Sequence, residues 1–420
     1  MGLTLAEKVL ARSAGLPSVA PGDLVTCRVD RVLATDITAP LSIQVFRRMG
    51  ATRVFDPDRC ILVNDHFVPA KDIQSANLAK AMREFAREQG IGAYFEVGRS
   101  GICHALVVEK ALVRPGELMV GADSHTCTAG VLGAFATGVG STDLAAAWAL
   151  GELWLRVPET IRVDIDGELG PWVTPKDVML RLIAELGVDG ARYRALEFGG
   201  ELVERLSVGQ RLPLCNMAVE AGAKAGMVPA DAVTARYLTE RGADADTMLE
   251  PDRDAAYAQV IRINADALEP QVAEPFMPSN VRPVRQFGDV AVDQVFIGSC
   301  TNGYLEDLRS AAAVLRGRQV ASSVRLIVTP ATQEIYLNAV REGIVADLVA
   351  AGAAVTTPTC GACLGGHMGV LGADEVALAT TNRNFRGRMG DTTSRVYLAS
   401  PVVAAATAVT GRITHPEDLA

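Results

Sequence analysis

The chain has 420 residues, of which 49% are apolar, 5% aromatic and 21% charged, and it carries a formal net charge of −9. That length accommodates about three domains, and an aromatic-poor mix rich in Ala, Val, Leu and Gly suits helices packed on parallel sheets better than an aromatic-rich β-sandwich. The negative balance argues against a nucleic-acid partner, which needs clustered positive charge, while a small anion remains a suitable ligand where a few arginines are focused into one cleft.

A first region is expected over residues 1–157. It opens with a helix start, Thr4 and Glu7 standing in capping-box spacing, and not with a secretory pattern. Cys60-Ile61-Leu62-Val63 reads as a strand ending at Asn64-Asp65-His66, and a helix follows over 75–89 with Leu78, Met82, Phe85 and Ala86 on one face. Glu117-Leu118-Met119-Val120 reads as another strand, ending at Gly121-Ala122-Asp123-Ser124-His125. A glycine-rich loop then leads into a helix predicted over 141–155. Ionisable residues thus fall just past strand C-termini, where ligands bind in open α/β sheets. Gly130, Gly133, Gly138 and Gly140 do not complete a nucleotide fingerprint, because no third glycine stands at the required offset after Gly138-Val139-Gly140. Close packing of a helix start on a sheet accounts for them better. The apolar stretch over 144–155 is interrupted by Glu152 and is too short for a membrane span.

A second α/β region is expected over 158–284. Ile161-Arg162-Val163-Asp164-Ile165 alternates like a half-buried strand, 175–186 reads as a helix, and Tyr193-Arg194-Ala195-Leu196-Glu197-Phe198 as a further strand. The third region, 285–420, starts with an apolar strand over 292–297 that leads into Cys300. A helix over 304–315, a strand over 324–328, a helix over 333–341 and a short strand over 353–355 continue the alternation.

Eight cysteines at irregular spacing do not form a disulfide framework in a chain of this size, which fits a reducing cytoplasm. Three of them sit in Gly/Thr-rich turns: Ser299-Cys300-Thr301-Asn302-Gly303, and Thr359-Cys360-Gly361-Ala362-Cys363-Leu364-Gly365-Gly366. An iron–sulfur cube tied by four thiolates transfers electrons; three thiolates leave one iron open as a Lewis acid. The same residues also fit a zinc site with His367 as fourth ligand, a redox dithiol or plain buried cysteines.

Histidine is scarce, only five in all, and three of them, His66, His104 and His125, lie in the first region. Asp65 precedes His66 and Asp123 precedes His125 by two, and such carboxylates orient an imidazole and keep it protonated, as a general acid requires. Arg383, Arg386 and Arg388 sit in Asn382-Arg383-Asn384-Phe385-Arg386-Gly387-Arg388, a shaped turn whose guanidinium forks suit carboxylates.

Gly121-Ala122-Asp123-Ser124-His125-Thr126, Ile297-Gly298-Ser299-Cys300-Thr301-Asn302-Gly303 and the 382–388 segment together resemble the signatures of the aconitase superfamily, and the resemblance spans essentially the whole chain. It is nearest to the large subunits of the two-subunit isopropylmalate dehydratase and homoaconitase branch. The resemblance implies three α/β domains, with mostly parallel sheets, around a central cluster-containing cleft. It implies a [4Fe–4S] cluster on Cys300, Cys360 and Cys363 with one iron not ligated by cysteine. It further implies catalytic roles for Asp65, His66, His104, Asp123, His125 and Glu197, and substrate contacts from Gln44, Ser124, Arg383 and Arg388. Arg386 falls where the family varies and carries no role. The implied reaction moves a hydroxyl between adjacent carbons of a hydroxy-dicarboxylate by dehydration and rehydration, 2-isopropylmalate to 3-isopropylmalate in leucine biosynthesis. Homoaconitase, methylmalate or dimethylmalate dehydratase are the alternatives, with a zinc-stabilised binding protein as a distant one. The family's serine base and specificity loop belong to a fourth domain, so a separate small subunit is expected to supply them, with no nucleic acid or membrane as partner.

Overall fold

The structure, a computed structural model, describes residues 2–419. Three larger β-sheets, with one two-stranded sheet besides, organise the chain. The first is wholly parallel, in the spatial order Ala93–Phe95, Cys60–Val63, Arg31–Thr35, Leu118–Gly121, Phe135–Gly138. Cys60–Val63 is buried at every position, as expected of a parallel strand covered on both faces. The second sheet is also parallel: Ala225–Met227, Ala195–Gly199, Thr160–Asp166, Gln259–Asn264.

The third sheet has seven strands in the order Val281–Pro283, Gln271–Ala273, Arg395–Leu398, Val376–Ala379, Gln294–Ile297, Arg325–Val328, Ala354–Val355. The last five are parallel, and the first two join antiparallel at one edge. Apolar side chains of all three sheets, among them Ile61, Ile161 and Val295, merge into one continuous core, and this packing holds the strand ends of different sheets against one another. Among the described residues no helix is long and apolar enough to cross a membrane.

The helix predicted over 141–155 ends at Leu150. Gly151 takes a left-handed φ of 72° and stops it, and the alternating Glu152–Arg156 becomes a strand paired antiparallel with Leu24–Arg28, Thr26 facing Trp154. Gln271–Ala273 and Val281–Pro283 pair with the third sheet, Ala273 opposite Leu398, so the segment before 285 packs with the third region. Gly138 shows why a glycine ends the strand Phe135–Gly138: a Cβ there would lie 2.7 Å from the Asp123 carbonyl oxygen. That is close packing against the Asp123 turn, with no phosphate cradle involved.

Candidate active site

Three parallel strands of the first sheet end in acids. Asp36 follows Arg31–Thr35 and accepts from the amides of Asp65 at 3.1 Å, His66 at 2.9 Å and Phe67 at 2.8 Å, which fixes the turn after Cys60–Val63. In that turn Asp65 Oδ1 lies 2.6 Å from His66 Nδ1, and Asp65 Oδ2 accepts from the Cys103 amide at 2.7 Å. Both side chains are buried. Burial disfavours the imidazolium, but the charges of Asp65, Asp36 and Asp123 and the Asp65 hydrogen bond outweigh it and bring His66 up to about 9. With Nδ1 held by Asp65, the other ring nitrogen, Nε2, faces Asp123 Oδ2 at 3.7 Å.

Asp123 is the hub. Its Oδ1 lies 2.9 Å from His104 Nε2 and accepts the His125 amide at 2.8 Å. His104 stands in the first turn of helix Cys103–Glu109 and is 6.2 Å, ring to ring, from His125. Burial opposes the charge on Asp123, yet the charge and hydrogen bonds of His104 and His125 hold its carboxyl well below the usual range. On the far side His125 Nε2 meets Glu220 Oε1 at 2.7 Å, and Glu220 accepts from Arg383 Nε at 2.9 Å. Glu220 is likewise kept below the usual carboxylate range against its burial, by His125 and Arg383. Asp65, His66, Asp123, His104, His125, Glu220 and Arg383 therefore form one connected array of acids and bases, buried except for the partly exposed Asp123 and Arg383.

The three turn cysteines adjoin this array, and each sulfur has a donor or acid beside it. Cys300, in the one-turn helix Ser299–Asn302, receives amide N–H groups from Asn216 Nδ2 at 3.2 Å and Asn382 Nδ2 at 3.5 Å. Cys363 Sγ lies 4.0 Å from Arg388 Nη2, and Cys360 Sγ lies 3.6 Å from Asp65 Oδ2. Ser299 holds a φ of 80°, a strained conformation of the kind found at functional sites. Burial pushes the Cys300 and Cys360 thiols up; Cys363 adds to the effect on Cys300, and Asp65, Cys300 and Cys363 to that on Cys360. N–H donors aimed at sulfur stabilise thiolate, and a multivalent cation would relieve the crowded negative charge. This donor set therefore fits an iron–sulfur cluster.

His367 is not available as a fourth ligand through its Nε2, which lies 3.1 Å from the His66 carbonyl oxygen and 3.2 Å from Thr359 Oγ1. Asp65, His66 and Cys360 do place ligand atoms within 4.8 Å of one another. The 2.6 Å Asp65–His66 contact makes that group an ion pair beside a thiol.

Two of the expected residues are not brought here. Gln44 is exposed on helix Ala39–Arg48. Glu197 is buried within strand Ala195–Gly199, where it accepts from the Leu5 amide at 3.0 Å, Arg162 Nη1 at 2.9 Å and Tyr257 Oη at 2.6 Å. Its three partners tie the N-terminal helix to the second sheet, so the acid that the second region presents to the histidines is Glu220. Glu220, Asn216 and Asp36 escaped the sequence reading. Asp36 alone carried a usable signal, an acid just past a parallel strand. Ser124 lines, with Asp123, a cavity of about 490 Å³ walled by Trp154, Tyr193 and Lys224. Arg388 Nε is buried and lacks a partner among the described residues, and Arg386 stacks on the Phe276 ring at 4.4 Å.

The geometry can be set beside known proteins. Along its whole length the chain is 58% identical to a 3-isopropylmalate dehydratase large subunit of Moorella thermoacetica and 55% identical to that of Syntrophus aciditrophicus, covering 100% of each. It is 53% identical to a 3-isopropylmalate dehydratase large subunit 1 of Pyrococcus furiosus, over 100% of this chain and 99% of that one. A crystal structure of Thermococcus kodakaraensis aconitase X shares the fold at a TM-score of 0.51 and 13% identity, over 88% of each chain. A model of the aconitase family (aconitate hydratase) matches residues 7–289 and 284–411. Carried over nearly all of its length by that match and by these relatives, the chain belongs to the aconitase family.

Proposed function

We propose that this chain is the cluster-binding large subunit of a hydro-lyase that converts 2-isopropylmalate to 3-isopropylmalate by dehydration and rehydration. The observation that carries the reading is the junction of three turn cysteines with the Asp65–His66 pair, the Cys360 sulfur lying 3.6 Å from Asp65. The full-length likeness to large subunits of that name supports the substrate. Family membership implies an iron–sulfur cluster, and the finer assignment is a [4Fe–4S] cluster on Cys300, Cys360 and Cys363 with one iron free of cysteine. When bound, the cluster supplies a Lewis acid for the substrate hydroxyl.

The chain's own residues do the rest. His66, protonated and with Nδ1 fixed on Asp65, presents its Nε2 proton to the leaving hydroxyl, which departs as water. Asp123 holds the His104 ring and the His125 amide by hydrogen bonds and faces His66 Nε2 at 3.7 Å, so one carboxylate frames all three histidines. Arg383 gives only its Nε to Glu220, so the outer nitrogens of its fork remain for a substrate carboxylate, and the partnerless Arg388 Nε offers a second contact. Ser124 contributes a hydroxyl to the cavity wall.

The relatives' designation as large subunits supports a small partner, to which we assign the serine base that removes the weakly acidic proton beside a carboxylate, together with the loop that recognises the substituent. The test is anaerobic assay of the chain with and without a co-expressed small subunit, on isopropylmalate, homoaconitate and methylmalate in parallel. Preference for isopropylmalate, only in the two-subunit enzyme, is expected. Rapid turnover by the chain alone, or preference for another substrate, overturns the reading.

A further inference from the structure

Lys176 is wholly buried in the first turn of helix Pro175–Leu186. An ammonium is costly to remove from water, and the positive end of a helix dipole is an unfavourable place for it. Its Nζ donates to two adjacent backbone carbonyls, Thr380 O at 2.7 Å and Thr381 O at 2.6 Å. No carboxylate among the described residues lies within the 4.0 Å of an ion pair with it. Burial brings the Lys176 ammonium down to about 7, and the negative groups that oppose this through space are Asp307 and Asp177, then the Cys363 and Cys300 sulfurs. Both acids are engaged elsewhere: Asp307 accepts from Asn302 and Tyr304, Asp177 from Thr174 and Gln271.

The two carbonyls belong to the turn that leaves strand Val376–Ala379. Thr380 Oγ1 accepts from the Gly298 amide at 2.9 Å and so joins the turn to the segment entering Cys300. Asn382 then reaches the Cys300 sulfur at 3.5 Å, and Arg383 reaches Glu220 at 2.9 Å. Without a donor at position 176, the Thr381 carbonyl would be left buried and unsatisfied at the root of that turn, and Thr380 O would keep only the Ser299 hydroxyl at 3.4 Å.

We propose that Lys176 is a positioning residue of the cysteine site: its Nζ gathers the Thr380 and Thr381 carbonyls, thereby aiming Asn382 at Cys300 and Arg383 at Glu220. The inference rests on the reading of Cys300, Cys360 and Cys363 as cluster ligands. Lys176→Met keeps the length and removes the charge and the donors, while Lys176→Arg keeps both. The full chain, co-expressed with its small subunit and reconstituted anaerobically, is assayed for iron and sulfide per chain, for the rate at which air bleaches the cluster, and for kcat and KM separately. Urea unfolding of the metal-free chain serves as the structural control.

Lys176→Met is expected to bleach about tenfold faster and to lose kcat, with Lys176→Arg restoring the bleaching rate toward wild type. Wild-type bleaching and kcat in Lys176→Met overturn the proposal, and so do equal defects in both variants. If Lys176→Met does not fold, Lys176→Arg decides: folding with wild-type bleaching supports the proposal, whereas two unfolded variants make Lys176 purely structural and overturn it. A wild-type chain that takes up no iron overturns the cluster reading itself, an outcome distinct from any behaviour of the variants.

Discussion

Glu220 Oε1 sits 2.7 Å from His125 Nε2, with both side chains buried. The same carboxylate holds Arg383 Nε at 2.9 Å, so one acid sets an imidazole and a guanidinium at once. Glu220→Gln preserves the shape and removes the charge. In the two-subunit enzyme kcat/KM is expected to fall roughly ten- to a hundredfold, with a higher KM as Arg383 loosens. Wild-type kinetics in Glu220→Gln would remove the residue from the site.

Glu197 is the contrasting acid. Its bonds to Leu5, Arg162 and Tyr257 hold the N-terminal helix on the second sheet. Glu197→Ala leaves those donors facing a void, at a cost of roughly 3 kcal/mol. A lower urea midpoint with unchanged kcat in the folded, cluster-loaded enzyme is expected. A collapse of kcat at wild-type stability would return Glu197 to the chemistry.

These two glutamates show what the sequence can and cannot disclose. Asp65, His66 and Asp123 were legible because a buried parallel strand followed by a polar turn is a local pattern, and ligands gather at such strand ends. The cysteine turns were legible for the same reason. Glu220 lies in the 3-10 turn Met217–Ala221 after helix Val208–Asn216, and nothing in that run distinguishes a functional acid from a helix-end one. Its role comes from partners 95 and 163 residues away in sequence. Glu197, within a strand flanked by apolar residues, has the local look of a site residue, and its partners lie 192, 35 and 60 residues away. The run after Gly151 reads in sequence as a continuation of the helix, because its strand partner, Leu24–Arg28, is remote along the chain.

The Asp65–His66 pair makes a pH prediction. His66 ordinarily titrates at 6.5 and does so at about 9 in the folded chain. A folded value above the unfolded one means that the pair's stabilisation is fully present below 6.5 and is lost as pH rises through about 9. The urea midpoint of the chain is therefore expected to decline across that window, and that of His66→Gln to decline less. Identical pH profiles for the two proteins would show that the pair contributes nothing of the kind.

The cysteines allow a test with internal controls. All eight are free thiols; Cys300, Cys360 and Cys363 adjoin the acid–imidazole chain with N–H donors or a carboxylate beside their sulfurs, and the Cys103 thiol also lies beside Asp65. Cys27 lies instead in the packed core under the first sheet, its thiol 3.9 Å from the Leu10 carbonyl oxygen. Serine at position 360 replaces a soft thiolate by a hard, neutral hydroxyl, a poor ligand for iron in a sulfide cluster. Cys360→Ser is expected to lower iron and sulfide content and abolish dehydration while the circular dichroism of the chain stays native. Cys27→Ser should keep both iron and activity, since its sulfur has only a packing role. Full activity of Cys360→Ser, or activity of the wild-type enzyme with zinc and no iron, would reject the cluster assignment. Equal iron loss in the two variants would trace the effect to destabilisation of the fold and away from ligation.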